Sequence, residues 1–244
     1  AAPPELLQQA GGKRGAVVVI DVPAAVGPVQ QIGPIFYKNA GATLDTVAVA
    51  PGVADMTPQI QAEIDKNPDR SSRIGNDTFC ISAIKALRTV GYSKQIVVIP
   101  TCISDAARKA LGSQLKGVVE TTSGSTDPQA HEVALYNAVM AAYAPGTAPY
   151  GSSVTAGGYA VVLSFARAMS GISGPVTPST VFATTLAMQP QPLPLAEGLT
   201  FQCSQKAVAF APAICSTGFL TTTLDDHGQP TTYKPLDLTA ILKL

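Results

Sequence analysis

The sequence encodes an α/β protein built on a parallel sheet. Two observations lead there. Short, unbroken apolar runs recur along residues 1–146, and each is followed by a segment with apolar residues at helical spacing. An unbroken apolar run is the pattern of a strand buried on both faces, as in a parallel sheet covered by helices on each side. Strand and helix in alternation is the order that builds such a sheet.

The elements follow in order. RGAVVVIDV (14–22) is a buried strand. In GPVQQIGPIFYKNAG (27–41), Gln30, Gln31 and Lys38 alternate with Ile32, Ile35 and Phe36 in a helical rhythm that stops at Gly41. ATLDTVAVA (42–50) is strand-like, and ADMTPQIQAEIDK (54–66) is a helix with Pro58 in its first turn. Residues 79–90 place Cys80, Ile81, Ile84 and Leu87 on one helical face, ended by Gly91. QIVVIP (95–100) is a strand, SDAARKALG (104–112) a helix capped by Ser104 or Asp105, and GVVETT (117–122) a strand. DPQAHEVALYNAVMAAY (127–143) opens with an Asp-Pro start and aligns Tyr136, Val139, Met140 and Tyr143.

Composition then shifts. APGTAPYGSS (144–153) is a linker or crossover, and 153–171 and 177–188 are apolar helices. QPQPLPLAEG (189–198) is loop; residues 199–225 look like strands ending in the turn LDDHGQP. The expected divisions are 1–146, 147–200 and 201–244.

A chain of 244 residues suits one large domain or two lobes. Hydrophobic residues make up 46%, enough for a buried core. Charged residues are 13%, about half the roughly 25% usual in globular proteins. Sixteen basic residues balance sixteen acidic ones, with no Lys/Arg run. Nothing electrostatic therefore favours nucleic acid or an anionic membrane as partner. No apolar run approaches the ~20 residues that span a bilayer. AAPPELLQQAGGKRG lacks the apolar core of a signal peptide, so an exported form would be processed or truncated.

The four cysteines, Cys80, Cys102, Cys203 and Cys215, form no CxxC, and His131 and His227 lie far from them in sequence. A metal site is not expected. An even count in two sequence-local pairs favours Cys80–Cys102 and Cys203–Cys215 disulfides, and hence an oxidising compartment, over four buried thiols.

Enzyme motifs are missing: no GxGxxG, no GxxxxGK[ST], no GxSxG elbow. Ser173, in GISGP, lacks the strand and helix that an elbow needs. His131 is expected to face solvent, and His227 sits in a turn beside Asp225 and Asp226, a pair expected to be solvated. Nothing places a nucleophile beside either histidine, so no catalytic residue and no cofactor are assigned.

Several stretches, in order, resemble one family. KRGAVVVIDVPAAVGPV is similar to the first strand and helix start of the second lobe of type I periplasmic binding proteins, the branched-chain amino-acid receptor type of ABC transporters. FYKNAGATLDTVAVAPGVADMTPQIQAEI, IGNDTFCISAIKALRTVG, GGYAVVLSFARAM and TTTLDDHGQP resemble its later segments. The resemblance implies a Rossmann-like parallel-sheet lobe plus part of a second lobe, joined by a hinge, with ligand in the interlobe cleft. It also implies that most of the N-terminal lobe is missing, whether removed, lost or carried as a separate chain, leaving the helices at 153–188 without the sheet they cover. One stretch departs: KNPDRSSRIG (66–75) falls where a central strand belongs, yet DRSSR is polar. Either that strand is short, or it lies at an edge, or the resemblance fails locally.

The resemblance implies the extracytoplasmic solute-binding component of an ABC importer, periplasmic or at the cell surface, lipid-anchored in a full-length form. Its partners would be a small polar organic solute and a membrane permease. The alternatives are a ligand-sensing module of the same fold and an unrecognised α/β enzyme. In open α/β sheets, ligands sit at the carboxyl ends of strands. Three such ends are identifiable: Asp21 to Ala25, then Asn76, Asp77 and Thr78, then Thr101 and Cys102. The expected solute contacts are Ala24, Ala25, Asn76, Asp77, Thr78, Thr101 and, on the return helix, Tyr159. These Asn, Asp and Thr residues also suit ordinary helix caps. Amino-acid-binding relatives place an acid near the position of Thr101 and an aromatic or polar residue near Ala24 or Ala25. This sequence has neither, so a neutral or anionic solute competes with a standard α-amino acid.

Overall fold

A computed structural model describes residues 1–146 and 153–243. The chain forms two compact units: residues 1–122 with 221–232, and residues 123–220 with 233–244. The linker expected at 144–153 lies mostly outside the described residues, as does the start of the division expected at 147.

In the first unit, β1 (Arg14–Ile20), β2 (Thr43–Val49), β3 (Arg70–Ile74), β4 (Gln95–Val98) and β5 (Val119–Thr122) lie in the order β2-β1-β3-β4-β5, every pairing parallel. The intervening helices are α2 (Pro23–Gln31) and α3 (Gly33–Asn39), then α4 (Thr57–Ile64), α5 (Asp77–Thr89) and α6 (Asp105–Leu111); α1 (Ala2–Gln9) precedes β1. The β1 run is buried as its composition requires: Ala16, Val17, Val18 and Val19 are all at most 3% exposed. Tyr37 of α3 lies so close over Gly15 that a Cβ there would collide with its ring. The main core joins Ile60 of α4, Phe79, Ala83, Ile84 and Leu87 of α5, Leu111 of α6, and Ile96 and Val98 of β4. Residues 79, 80, 83, 84 and 87 form one α5 face, and Gly91, in the left-handed region at φ +75°, follows the helix end.

The polar stretch 69–73 resolves differently from any edge strand. β3 is central, between β1 and β4, and Ser71, Ser72 and Arg73 are at most 2% exposed. Part of its polarity is met from α4. Arg73 Nη2 donates to Glu63 Oε2 at 2.9 Å, Ser71 Oγ donates to Glu63 Oε1, and Arg73 Nη1 donates to the Ser72 carbonyl at 2.8 Å. Buried charge is tolerated when it is paired and hydrogen-bonded. The last residues of β8 (Gly218–Thr223) also belong to this unit. Just beyond them, Leu224 N–H donates to the Val118 carbonyl at 2.8 Å.

In the second unit, α7 (His131–Tyr143) carries Tyr136, fully buried, edge-on to Tyr159 of α8 (Ser153–Ala168), with ring centroids 4.9 Å apart. Glu132 accepts two bonds from Arg167 Nη2, at 2.8 and 3.1 Å. These contacts join α7 to α8 within the compact unit that starts at residue 123. The Asp-Pro pair does not open α7. Asp127 instead receives the Gln129 amide in a turn, and the helix starts at His131. Tyr143, aligned in sequence with Tyr136, is 85% exposed. α9 (Pro178–Ala187) starts at a Thr177–Thr180 capping box. The tail is only partly strand. β6 (Gln191–Pro192) pairs with β7 (Thr200–Phe201), and β9 (Lys234–Asp237) neighbours β8, but no regular strand spans 202–217.

Candidate functional site

Three strands of the first unit end along one edge, and the chain turns there into helices. After β1, the Asp21 amide donates to the Val49 carbonyl at 2.8 Å, which aligns the ends of β1 and β2. α2 then starts at Pro23, with Ala24 exposed and Ala25 packed against the Val17–Val19–Tyr37 cluster. After β3, Gly75 allows a close approach: a Cβ there would stand 2.5 Å from Phe79 Cδ1. Asn76 caps α5, its Oδ1 accepting from the Phe79 amide and the Thr78 hydroxyl, each at 3.0 Å. After β4 comes a 3₁₀ turn, Pro100–Cys102, and then α6, capped by Ser104.

The second and third ends are tied together. Thr101 Oγ1 donates to the Gly75 carbonyl at 2.7 Å, and Ser104 Oγ donates to Asp77 Oδ2 at 2.7 Å. Asp77 Oδ1 accepts the Thr78 amide at 2.8 Å. The Ser104 hydroxyl, followed by that amide, holds the Asp77 carboxyl below the usual aspartate range. Cys80, in the first turn of α5, is bonded to Cys102, and Cys203 to Cys215, the two pairings that local spacing favours.

Asn76, Asp77, Thr78 and Thr101 therefore share one polar rim, with Ala24 and Ala25 following the neighbouring strand β1. The rim has hydroxyls, an amide and an ionised carboxylate. The side-chain NH₂ of Asn76 makes no hydrogen bond among the described residues, leaving two donors for a ligand. Segments 21–25, 75–78 and 100–104 contain Asp21 and Asp77 but no lysine or arginine. A solute carboxylate finds no cation in them. Tyr159 belongs to the second unit, half-buried against Tyr136, and burial raises its phenol. His131 and His227 are both exposed; His227 Nε2 lies 3.7 Å from Asp226 Oδ1. Among the described residues no cluster of histidine, cysteine or carboxylate side chains has metal-binding geometry.

Clefts elsewhere do not involve the rim. One of about 540 Å³ in the second unit is lined by Thr200, Gln202, Lys206, Thr217 and Asp237. Another of about 230 Å³ in the first unit is apolar, lined by Val17, Val29, Phe36 and Leu44. Two partnerships escaped sequence reasoning. Ser104 registers only as a helix cap, because its partner Asp77 is 27 residues away. The Glu63–Arg73 pair has no periodic signal at all.

The sequence matches the periplasmic binding protein family over residues 4–209, and the chain belongs to that family. Among solved structures it resembles an ABC transporter substrate-binding protein from Sphaerobacter thermophilus, with TM-score 0.71, 18% identity, and coverage of 97% of this chain and 62% of that one. A branched-chain amino acid ABC transporter protein from Thermus thermophilus with bound valine gives TM-score 0.71 and 14% identity, covering 98% and 65%. An ABC transporter solute-binding protein from R. palustris in complex with 4-hydroxybenzoate gives TM-score 0.69 and 12% identity, covering 96% and 63%. The chain thus spans less than two thirds of the length of these structures. No curated protein matches it. At these identities the likeness establishes the type I periplasmic-binding-protein fold.

Proposed function

We propose that the protein is the extracytoplasmic solute-binding component of an ABC importer, a binder rather than an enzyme. It would capture a small polar organic solute, an amino acid or a related carboxylate or amide, and present it to a membrane permease. The supporting observation is the polar rim at the carboxyl ends of β1, β3 and β4, where open α/β sheets bind ligands, in a chain of this family. Asn76, Thr78 and Thr101 supply hydrogen bonds, Asp77 fixes the geometry between them, and Ala24 and Ala25 leave room. Tyr159, half-buried against Tyr136 in the second unit, is a separate candidate contact on that unit. With no cation on the rim, it suits the uncharged or cationic part of the solute. Closure would follow from solute contacts made only in the closed state.

A thermal-shift and calorimetric panel tests this reading, with valine, the other branched-chain amino acids and 4-hydroxybenzoate as probes. A solute at a hundred times its Kd stabilises the fold by about 2.7 kcal/mol. The expected outcome is stabilisation by at least one probe, weakened about tenfold by Asn76→Ala, the loss of one or two hydrogen bonds. The solute should be recovered unchanged. A panel without any stabilisation, or one in which a probe is consumed, overturns the proposal.

A further inference from the structure

We propose that the Cys80–Cys102 disulfide is a positioning pair for the solute rim, holding the β3–α5 and β4–α6 loops at a fixed spacing beyond the end of the sheet. This assignment rests on the rim being the solute site.

The ladder between β3 and β4 ends at Arg73↔Val98. Beyond it, Gly75 to Thr78 on one side and Pro100 to Ser104 on the other have left the strands. Two side-chain hydrogen bonds cross this gap, Thr101 to the Gly75 carbonyl and Ser104 to Asp77. Thr101 is exposed and Ser104 only half-buried, so water competes for both bonds. The disulfide is the covalent link between the loops, and it is placed where the ladder stops. Cys80 lies one turn into α5, its amide bonded to the Asn76 carbonyl at 3.0 Å. Cys102 is the residue after Thr101, and its sulfur lies 3.7 Å from the Arg73 carbonyl oxygen. Both cysteines are 0% exposed. A reductant therefore cannot reach the bond in the folded lobe, which makes it a fixed brace rather than a redox switch.

A brace of this kind acts by preorganisation. A rim already in its bound geometry loses less conformational freedom on binding, so more of the contact energy appears as affinity. The loops on either side of the bridge carry Asn76, Asp77, Thr78 and Thr101, four of the seven proposed contacts. Cys203–Cys215, in the second unit, closes a loop that contains none of them.

Hydrogen exchange read by mass spectrometry, without solute, tests the assignment. In C80A/C102A the amides of 76–80 and 101–107 should exchange on the order of tenfold faster or more, while those of β1 and β2 keep their protection. In C203A/C215A the rim amides should be unchanged. T101V/S104A, which keeps the bridge but loses both hydrogen bonds and the Ser104 cap on the Ala107 amide, should change exchange at 76–80 and 101–103 by less than about threefold. Valine titration into the same proteins gives the second readout: loss of affinity with C80A/C102A and not with C203A/C215A. Unaltered rim exchange in C80A/C102A overturns the proposal, as does equal acceleration across the whole sheet. If C80A/C102A does not fold, T101V/S104A decides: a tenfold acceleration there assigns the rim to the hydrogen bonds instead. Because exchange is read without solute, failure of every probe to bind counts against the solute reading and leaves the brace to be judged by exchange.

Discussion

At the scale of single residues, the rim is held by side chains with two duties. Asn76 caps α5 through Oδ1, accepting from both the Phe79 amide and the Thr78 hydroxyl; Asp77 bonds both Ser104 and its neighbour Thr78. The carboxyl of Asp77 is held low because two donors favour its charged form. A group with a depressed folded value stabilises the native state above its unfolded value, and that contribution is lost as pH falls through the folded value. Removing one donor, as in Ser104→Ala, should move the Asp77 midpoint up toward the ordinary aspartate range. Its contribution to acid stability should shrink. Carboxyl carbon shifts followed by NMR between pH 2 and 6, on the order of the range that brackets aspartate titration, give the answer directly. A midpoint unmoved by S104A would mean that the Thr78 amide alone sets it.

At the scale of elements, β3 shows where sequence patterning works and where it stops. β1 was legible because its burial is written in its own residues, Ala16 to Val19. The burial of β3 is written ten residues upstream, in Glu63 of α4, which neutralises Arg73 and receives Ser71. No window centred on DRSSR contains that information. The same holds for the tail, where the Cys203–Cys215 bridge joins positions on either side of a segment that forms no regular strand. The placement of Asn76, Asp77 and Thr78 was legible as the start of the Cys80 helix, and that of Thr101 as the residue after an apolar run. The bonds that tie the two strand ends together were not, since each spans more than 25 residues. Buried pairing also sets the cost of disruption. Arg73→Leu leaves Glu63 charged, buried and without its cation, an arrangement that costs about 3–5 kcal/mol. Urea unfolding should show that loss, and E63L/R73L should recover much of it, because two apolar side chains leave no orphaned charge. A double variant as unstable as R73L would show that the pair contributes more than compensation.

At the scale of the molecule, one surface is unlike the rest. In α8 and α9, Val161 and Val162 are each 70% exposed, and Phe165 and Phe182 each 57%. Scattered exposed apolar residues are ordinary, but three of these are clustered. Val161, Val162 and Phe165 lie within two turns of one helix, and Phe182 lies on the next. Helix formation does not require them there, since α8 is anchored on its other side by Ala156 and Tyr159 against Tyr136, and by Arg167 on Glu132. Their replacement should therefore leave stability nearly unchanged, within about 0.5 kcal/mol, as for surface positions generally. It should, however, remove dye-accessible apolar surface. The folded chain is expected to enhance ANS fluorescence at neutral pH while keeping the near-UV circular dichroism of a packed core, which separates this surface from a molten state. V162S/F165S should lower that fluorescence severalfold at an unchanged unfolding midpoint. Equal fluorescence from the variant would place the dye elsewhere, with the apolar cleft beside Phe36 and Leu44 as the next location to test by substitution.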